Sequence, residues 1–243
     1  MINFLIVSCG YRCEDTIQRC IESVDGQSYG KWFHIVKIDG YGKASLDLAK
    51  SNRVIQHKKL RVGKMQNFYY AMDNCLVAKP IWPVSHNHLI IIDLDADDYL
   101  EPNALEVLAK IYQDPNIWAT HGSYRMLSGR PARFNGEYKN DNFRGSRWRA
   151  SHLKSFRAPL FYKIKLRDFK NRANQWLMTS SDMAIMFPVM ELAGLDRIRY
   201  VPDIIYNYND LSELNDHKVA PADQKRNEKQ LRRKPAYKRL EKL

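Results

Sequence analysis

Four carboxylates, Asp93, Asp95, Asp97 and Asp98, stand within six residues, directly after the apolar run Leu89-Ile90-Ile91-Ile92. A short all-apolar run reads as a strand buried on both faces of a parallel sheet. Open α/β sheets hold their ligands at the carboxyl ends of such strands. Crowding like charges raises the free energy unless a cation neutralises them. Asp95 and Asp97 are two apart, so an extended tip turns both to one face, where they could hold a hard divalent ion. The same stretch is compatible with a polar loop whose acids are solvated. Asp93 is read as facing the opposite side, in a structural role.

The elements that must position this tip alternate in type. Residues 4–7 read as a first strand that leaves through Gly10-Tyr11. Ile17, Cys20, Ile21 and Val24 then repeat at i, i+3, i+4 and i+7, a helical stripe that packs on a sheet, and Gly26 closes it. Residues 32–38 read as a second strand ending at Asp39-Gly40, followed by a weak helix at 45–50 and a short strand at 54–56. Lys64–Val77 reads as a helix with Phe68, Tyr69, Met72 and Leu76 inward, and the Leu89 strand follows. This rhythm predicts a doubly wound, mostly parallel sheet flanked by helices. Beyond the acidic tip, Pro102 suits a helix start, and 118–123 reads as a strand. Residues 128–149, polar, basic and glycine-containing, read as a long loop or hairpin over the site. A helix at 182–193 closing at Gly194, a late strand at Ile198–Tyr208 and a charged helix from Pro221 complete the chain. That last helix has few apolar anchors (Leu231, Tyr237, Leu240) and is expected to pack weakly or move.

The chain is 243 residues long and 44% hydrophobic, enough for a real core and against whole-chain disorder. Its formal charge of +12 favours polyanionic partners: nucleic acid, an anionic membrane surface or phosphorylated substrates. Residues 218–243 hold ten cations against three acids, a net of +7, so the expected division is a domain at 1–217 and a basic tail at 218–243. Cys9, Cys13, Cys20 and Cys75 form no paired metal spacing and read as free thiols of a reducing compartment. No run reaches membrane-spanning length and the amino terminus lacks signal-peptide features, so a cytoplasmic protein is expected.

Taken in order, the motifs resemble a family 2 glycosyltransferase with the GT-A fold. Cys9-Gly10-Tyr11-Arg12 is similar to the Pro-Thr-Tyr-Asn-like turn after the family's first strand, and residues 23–29 to its Ser-Val-x-x-Gln-Thr-Tyr segment. Ile38-Asp39-Gly40-Tyr41 stands where the family carries Asp-Asp-Gly-Ser, and residues 61–67 echo an Asn-x-Gly helix start. Leu94 through Pro102 contains the whole Leu-Asp-Ala-Asp-Asp-Tyr-Leu-x-Pro motif. Ser181-Asp182 stands at the family's Glu-Asp, and Tyr206-Asn207-Tyr208 at its closing strand. The resemblance spans residues 3–217. Ile38, Arg12 and Ser181 replace an acid, an asparagine and a glutamate of the family pattern.

The resemblance implies a metal-dependent, inverting glycosyltransferase that uses a nucleotide sugar, of which a UDP sugar is the leading choice. It implies Mn²⁺ or Mg²⁺ on Asp95 and Asp97, with His217 as third ligand and His152 as its rival or as a contact to acceptor or diphosphate. Asp98 would orient the loop or touch the sugar. Gly10, Tyr11 and Asp39 would receive the base, with Lys64 and Asn67 beside it or the phosphates. Asp182 is the expected catalytic base. Arg147, Trp148 and Arg149 form an aromatic-basic neighbourhood suited to acceptor or phosphate. The expected acceptor is a hydroxyl on a glycan, lipid or protein. One alternative is hydroxymethylated bases of DNA, gripped by residues 130–149 and the tail; another is a catalytically silent GT-A domain that binds polyanions.

Overall fold

The computed structural model describes residues 1–40, 52–77, 86–132 and 136–243. Among these, one sheet of eight strands comprises β1 (Asn3–Tyr11), β2 (Trp32–Asp39), β3 (Arg53–Lys58), β4 (Leu89–Asp95), β5 (Tyr99–Leu100), β6 (Ala119–Met126), β7 (Lys154–Arg157) and β8 (Ile198–Tyr208). Their order is β3-β2-β1-β4-β7-β6-β8-β5. The β3-β2-β1-β4 half is parallel, as is the β6–β8 pair. Short β7 and β5 run against their neighbours. The expected mixed α/β fold with a mostly parallel sheet is present. The helix expected at 45–50 lies outside the described residues.

Strand alternation builds a core on each face. Phe4, Ile6, Val36, Ile90, Ile92 and Leu94 turn toward α1 (Ile17–Asp25) and α3 (Ala104–Ile111). Leu5, Val7, Ile35, Leu89 and Ile91 turn the other way, toward α2 (Lys64–Val77), α4 (Ala158–Tyr162) and α5 (Ser181–Ala193). All four apolar positions of the α1 stripe are fully buried. α5 is apolar nearly all round, with residues Met183 to Ala193 buried, so it needs cover on its outer side as well.

That cover comes from two segments read otherwise in the sequence. The described residues of 128–149 do not form a flap over the site. Tyr138, Phe143 and Trp148 are buried in the α5 core, and Arg144 pairs with Glu191 of α5 at 2.6 Å. The carboxyl-terminal stretch also docks firmly. After α6 (Asp216–Val219), α7 (Pro221–Arg232) buries Leu231, and Tyr237, Leu240 and Leu243 pack on the same core. Arg232 donates to Arg144 O and Ser146 O, Lys234 to Arg167 O and Asp168 O, and Leu240 N to Leu192 O. Few apolar anchors suffice because backbone carbonyls at the edge of the body receive the cations. No helix among the described residues is long and apolar enough to cross a membrane.

Candidate active site

A cavity of about 460 Å³ opens at the carboxyl ends of β1, β2 and β4. Its floor is a charge ladder. Lys64, in the first turn of α2, places Nζ 2.5 Å from Asp95 Oδ1 and 2.9 Å from Asp93 Oδ1. Lys154 of β7 lies 3.4 Å from Asp93 and 3.3 Å from His152 Nδ1. The shared Lys64 corrects the expectation that Asp93 faces away: residues two apart in a strand share a face, and Asp93 is buried under Asp95.

Asp98 is fully buried and accepts from Tyr206 Oη at 2.5 Å and Asn209 N at 2.7 Å, which ties the acidic loop to the end of β8. The His152 ring lies nearly parallel to that of Tyr206, centroids 4.5 Å apart. Ligand atoms of Asp95, Asp98 and His152 all fall within 4.8 Å of one another. Two carboxylates and an imidazole at this separation suit Mn²⁺ or Mg²⁺, whose opposite ligands stand roughly 4 Å apart.

Electrostatics agree with a site short of positive charge. Burial and the neighbouring Asp95 push Asp97 up to about 6. Burial, with Asp97 and Asp95, raises Asp98 further. Burial, with Asp95 and Asp182, lifts Asp216 of α6 to about 6. Burial would also raise Asp95, but Lys64 and Lys154 hold it low. Burial beside Lys154 keeps His152 neutral, the state that ligates metal.

Also lining the cavity, Asp182 occupies the first turn of α5 and accepts from Met183 N at 2.8 Å. Burial raises its pKa against the pull of Lys154. The Tyr11 ring lies on Gly40, where a Cβ would come within 2.4 Å of the ring. Gly40 also has φ +68, so glycine is required twice over. Arg61 and Arg12 approach the same ring at 4.4 and 5.3 Å.

Residues 5–172 match the sequence model of glycosyl transferase family 2, well over half of the 243 residues. The chain belongs to glycosyl transferase family 2. Its architecture is that of the GT-A fold. TarS of S. aureus superposes with TM-score 0.67 at 16% identity, over 93% of this chain and 38% of TarS. The 1–349 fragment of TarS in complex with UDP gives 0.65 at 15%, over 93% and 63%. The mannosyltransferase PcManGT from Pyrobaculum calidifontis, in complex with GDP-Man and Mn²⁺, gives 0.62 at 12%, over 97% and 66%. This chain therefore spans 38% of TarS and 63% of its fragment, and at these identities the likeness concerns the fold. No protein of curated function matches the sequence.

The cavity gathers Gly10, Tyr11, Asp39, Lys64, Asp95, Asp97, His152, Asp182 and His217 of this family 2 chain. His217 reaches it from α6, but His152 is the histidine that joins the Asp95–Asp98 cluster. Asp39 is 1% exposed, and its carboxylate accepts from Val62 N, Gly63 N and Asn67 Nδ2 at 2.8 to 2.9 Å. It therefore anchors the start of α2, and Asn67 lies behind it, away from the cavity lining. Arg147, Trp148 and Arg149 do not line the cavity. Trp148 packs edge-on against Phe187, ring centroids 5.3 Å apart.

Several lining or supporting groups were not anticipated: Lys154, Arg61, Asp216 and the hydroxyl of Tyr206. Two of them had a local signal. Lys154 lies only two positions after His152, and Asp216 adjoins His217.

Proposed function

We propose that the chain transfers a sugar from a UDP sugar to an acceptor hydroxyl on a glycan, lipid or protein, with inversion at the anomeric carbon. The observation that carries this reading is one cavity lined by Asp95, Asp97, His152 and the buried carboxyl of Asp182, with Asp98 buried behind Asp95 and His152 within ligand distance of both. Asp95, Asp98 and His152 would hold Mn²⁺ or Mg²⁺, with Asp97 beside them. The ion, when bound, offsets charge on the departing nucleoside diphosphate. Lys64 and Lys154 add fixed positive charge on the same side. Asp182 takes the proton of the acceptor hydroxyl as its oxygen attacks; a carboxylate raised by burial is the stronger base for that step. Tyr11 offers the base a flat ring beside Arg61 and Arg12. The complexes of the TarS fragment with UDP and UDP-GlcNAc, and of PcManGT with GDP-Man and Mn²⁺, lend support through the shared fold.

The test is UDP release from a panel of UDP sugars with and without Mn²⁺, with product anomers assigned by NMR. Mn²⁺-stimulated release and an inverted product are expected. Asp182→Asn should lower acceptor-dependent turnover by roughly 10²- to 10⁴-fold while UDP binding stays within a few-fold of wild type. Retained turnover in Asp182→Asn, a retained anomer, or no metal-stimulated release from any UDP sugar would overturn the proposal.

A further inference from the structure

A second cavity, about 370 Å³, has a different character: its rim carries Arg172, Arg226, Lys229 and Arg233, and no carboxylate is among the described residues that line it. Two elements form it, the turn between the bridged residues Lys170 and Trp176, and the exposed side of α7. Arg226, Lys229 and Arg233 fall at i, i+3 and i+7, which puts three cations on one helical face. At 1.5 Å rise per residue they spread over roughly 10 Å.

The walls of this groove are fixed. Gln230 Nε2 donates to Lys170 O at 3.1 Å, and Gln230 Oε1 accepts from Arg172 N at 3.3 Å. Asn227, 8% exposed, donates to Thr179 Oγ1 at 2.9 Å. Other cations of the same stretch are consumed by the body: Arg232 and Lys234 on backbone carbonyls, Arg239 on Asp196. The four at the groove point to solvent, where Arg226 also meets the exposed Asp223 at 2.7 Å. α7 links the two cavities. Gln224 lines the active-site cavity, and Lys229 lies roughly 7 Å farther along the helix axis.

We propose that this groove is an acceptor subsite for a phosphate-bearing carbohydrate polymer, whose phosphates rest on Arg172, Arg226, Lys229 and Arg233 while a hydroxyl of the same polymer reaches Asp182. The proposal rests on the transferase reading above and names the acceptor class for it. Arginine presents a planar fork that matches phosphate. The described lining contains no aromatic ring, so it lacks the platform on which single-stranded nucleic acids stack their bases, and the neighbouring transferase cavity, whose acceptor group is a hydroxyl, favours a sugar polymer.

The test measures binding of labelled phosphorylated dextran to the full chain by fluorescence anisotropy, beside neutral dextran, oligo-dT and duplex DNA. The variant Arg172→Gln/Lys229→Gln/Arg233→Gln alters exposed side chains, and an unchanged melting temperature confirms its fold. Wild type should bind phosphorylated dextran and not neutral dextran. The triple variant should bind at least ~30-fold more weakly, with a salt slope smaller by about 2, as expected for three lost phosphate contacts. Equal binding by the variant, no binding by wild type, tighter binding of either DNA, or full competition by inorganic phosphate at matched concentration would each overturn the proposal. UDP release without acceptor is read in parallel and should be unchanged in the variant. A failed groove thus shows in polymer binding, and a failed transferase reading in UDP release.

Discussion

Lys64 occupies the position a divalent ion would have to contest. Its ammonium lies 2.5 Å from Asp95 and 2.9 Å from Asp93, and the side-chain exposures of Lys64, Asp95 and Asp93 are 20%, 24% and 2%. Lys64→Met keeps the aliphatic stem and removes the charge, with two effects of opposite sign. In metal-free protein, Asp93 keeps only the more distant Lys154 as a cationic neighbour, at 3.4 Å, among the described ion pairs. Breaking a buried pair from one side costs about 3–5 kcal/mol. Partial exposure of Lys64 and Asp95 lowers the expectation to about 2–3 kcal/mol, or roughly 5–10 °C in melting temperature for a chain of this size.

The second effect is on metal binding. An ion that binds Asp95 must displace the ammonium, an attraction of about 4 kcal/mol at 4 Å and an effective dielectric of 20. Resolvation of the freed lysine offsets most of this, so Lys64→Met should bind Mn²⁺ about 10- to 100-fold more tightly, equivalent to about 1.4–2.7 kcal/mol. Calorimetric titration with Mn²⁺ and melting curves in EDTA and in Mn²⁺ measure both effects. The variant should melt lower in EDTA and regain most of the difference in saturating Mn²⁺, while Lys64→Arg stays near wild type. Mn²⁺ affinity equal to or weaker than wild type, or undiminished stability in EDTA, would refute the competition.

Two further outcomes follow from groups away from the cavity. Arg144 and Glu191 form a two-pronged pair, 8% and 4% exposed, with contacts of 2.6 and 2.9 Å. Arg144→Met should destabilise by about 3–5 kcal/mol in urea unfolding, and adding Glu191→Leu should recover part of it, because the uncompensated charge goes. Burial alone would raise Asp210, but hydrogen bonds from Ser128 and the Arg130 guanidinium hold it at about 2, against 3.8 for the free side chain. A depressed carboxyl stabilises the fold fully above the unfolded value and loses that contribution as pH falls toward 2. Arg130 is 60% exposed, which limits the effect to about 1 kcal/mol. Asp210→Asn should flatten the stability slope between pH 4 and 2, and a slope unchanged from wild type would refute the assignment.

What could be read from the sequence was whatever repeats with a period. The expected bounds Lys64–Val77 and Ile198–Tyr208 coincide with α2 and β8, and the acidic tip ends β4 as expected. β7 was invisible because two of its four residues, Lys154 and Arg157, are cations that sequence reasoning leaves in water. Both are buried, made tolerable by Asp93 and by the carbonyls of Ile117, Asn87, Tyr112 and Asp114. No local pattern announces partners 40 to 70 positions away. The site suffered the same limit. His152 completes the acidic cluster because β7 sits beside β4 with reversed direction, which only the topology reveals.

The basic tail shows why net charge alone misleads. Its +7 suggested a free polyanion-binding arm, yet α5 is apolar on its outer side and must be covered by something. Residues 221–243 do this with Leu231, whose full burial is worth about 1.5–3 kcal/mol, and with the partly buried Tyr237 and Leu240. Docking then divides the cations by geometry. Those facing the body, Arg232 and Lys234, meet carbonyl ends and lose their reach for a partner. Those at 226, 229 and 233 fall on the other face of α7 and keep it, held in place by the same apolar contacts. The attachment that removes the mobile arm is therefore what aligns the remaining charge beside the catalytic cavity.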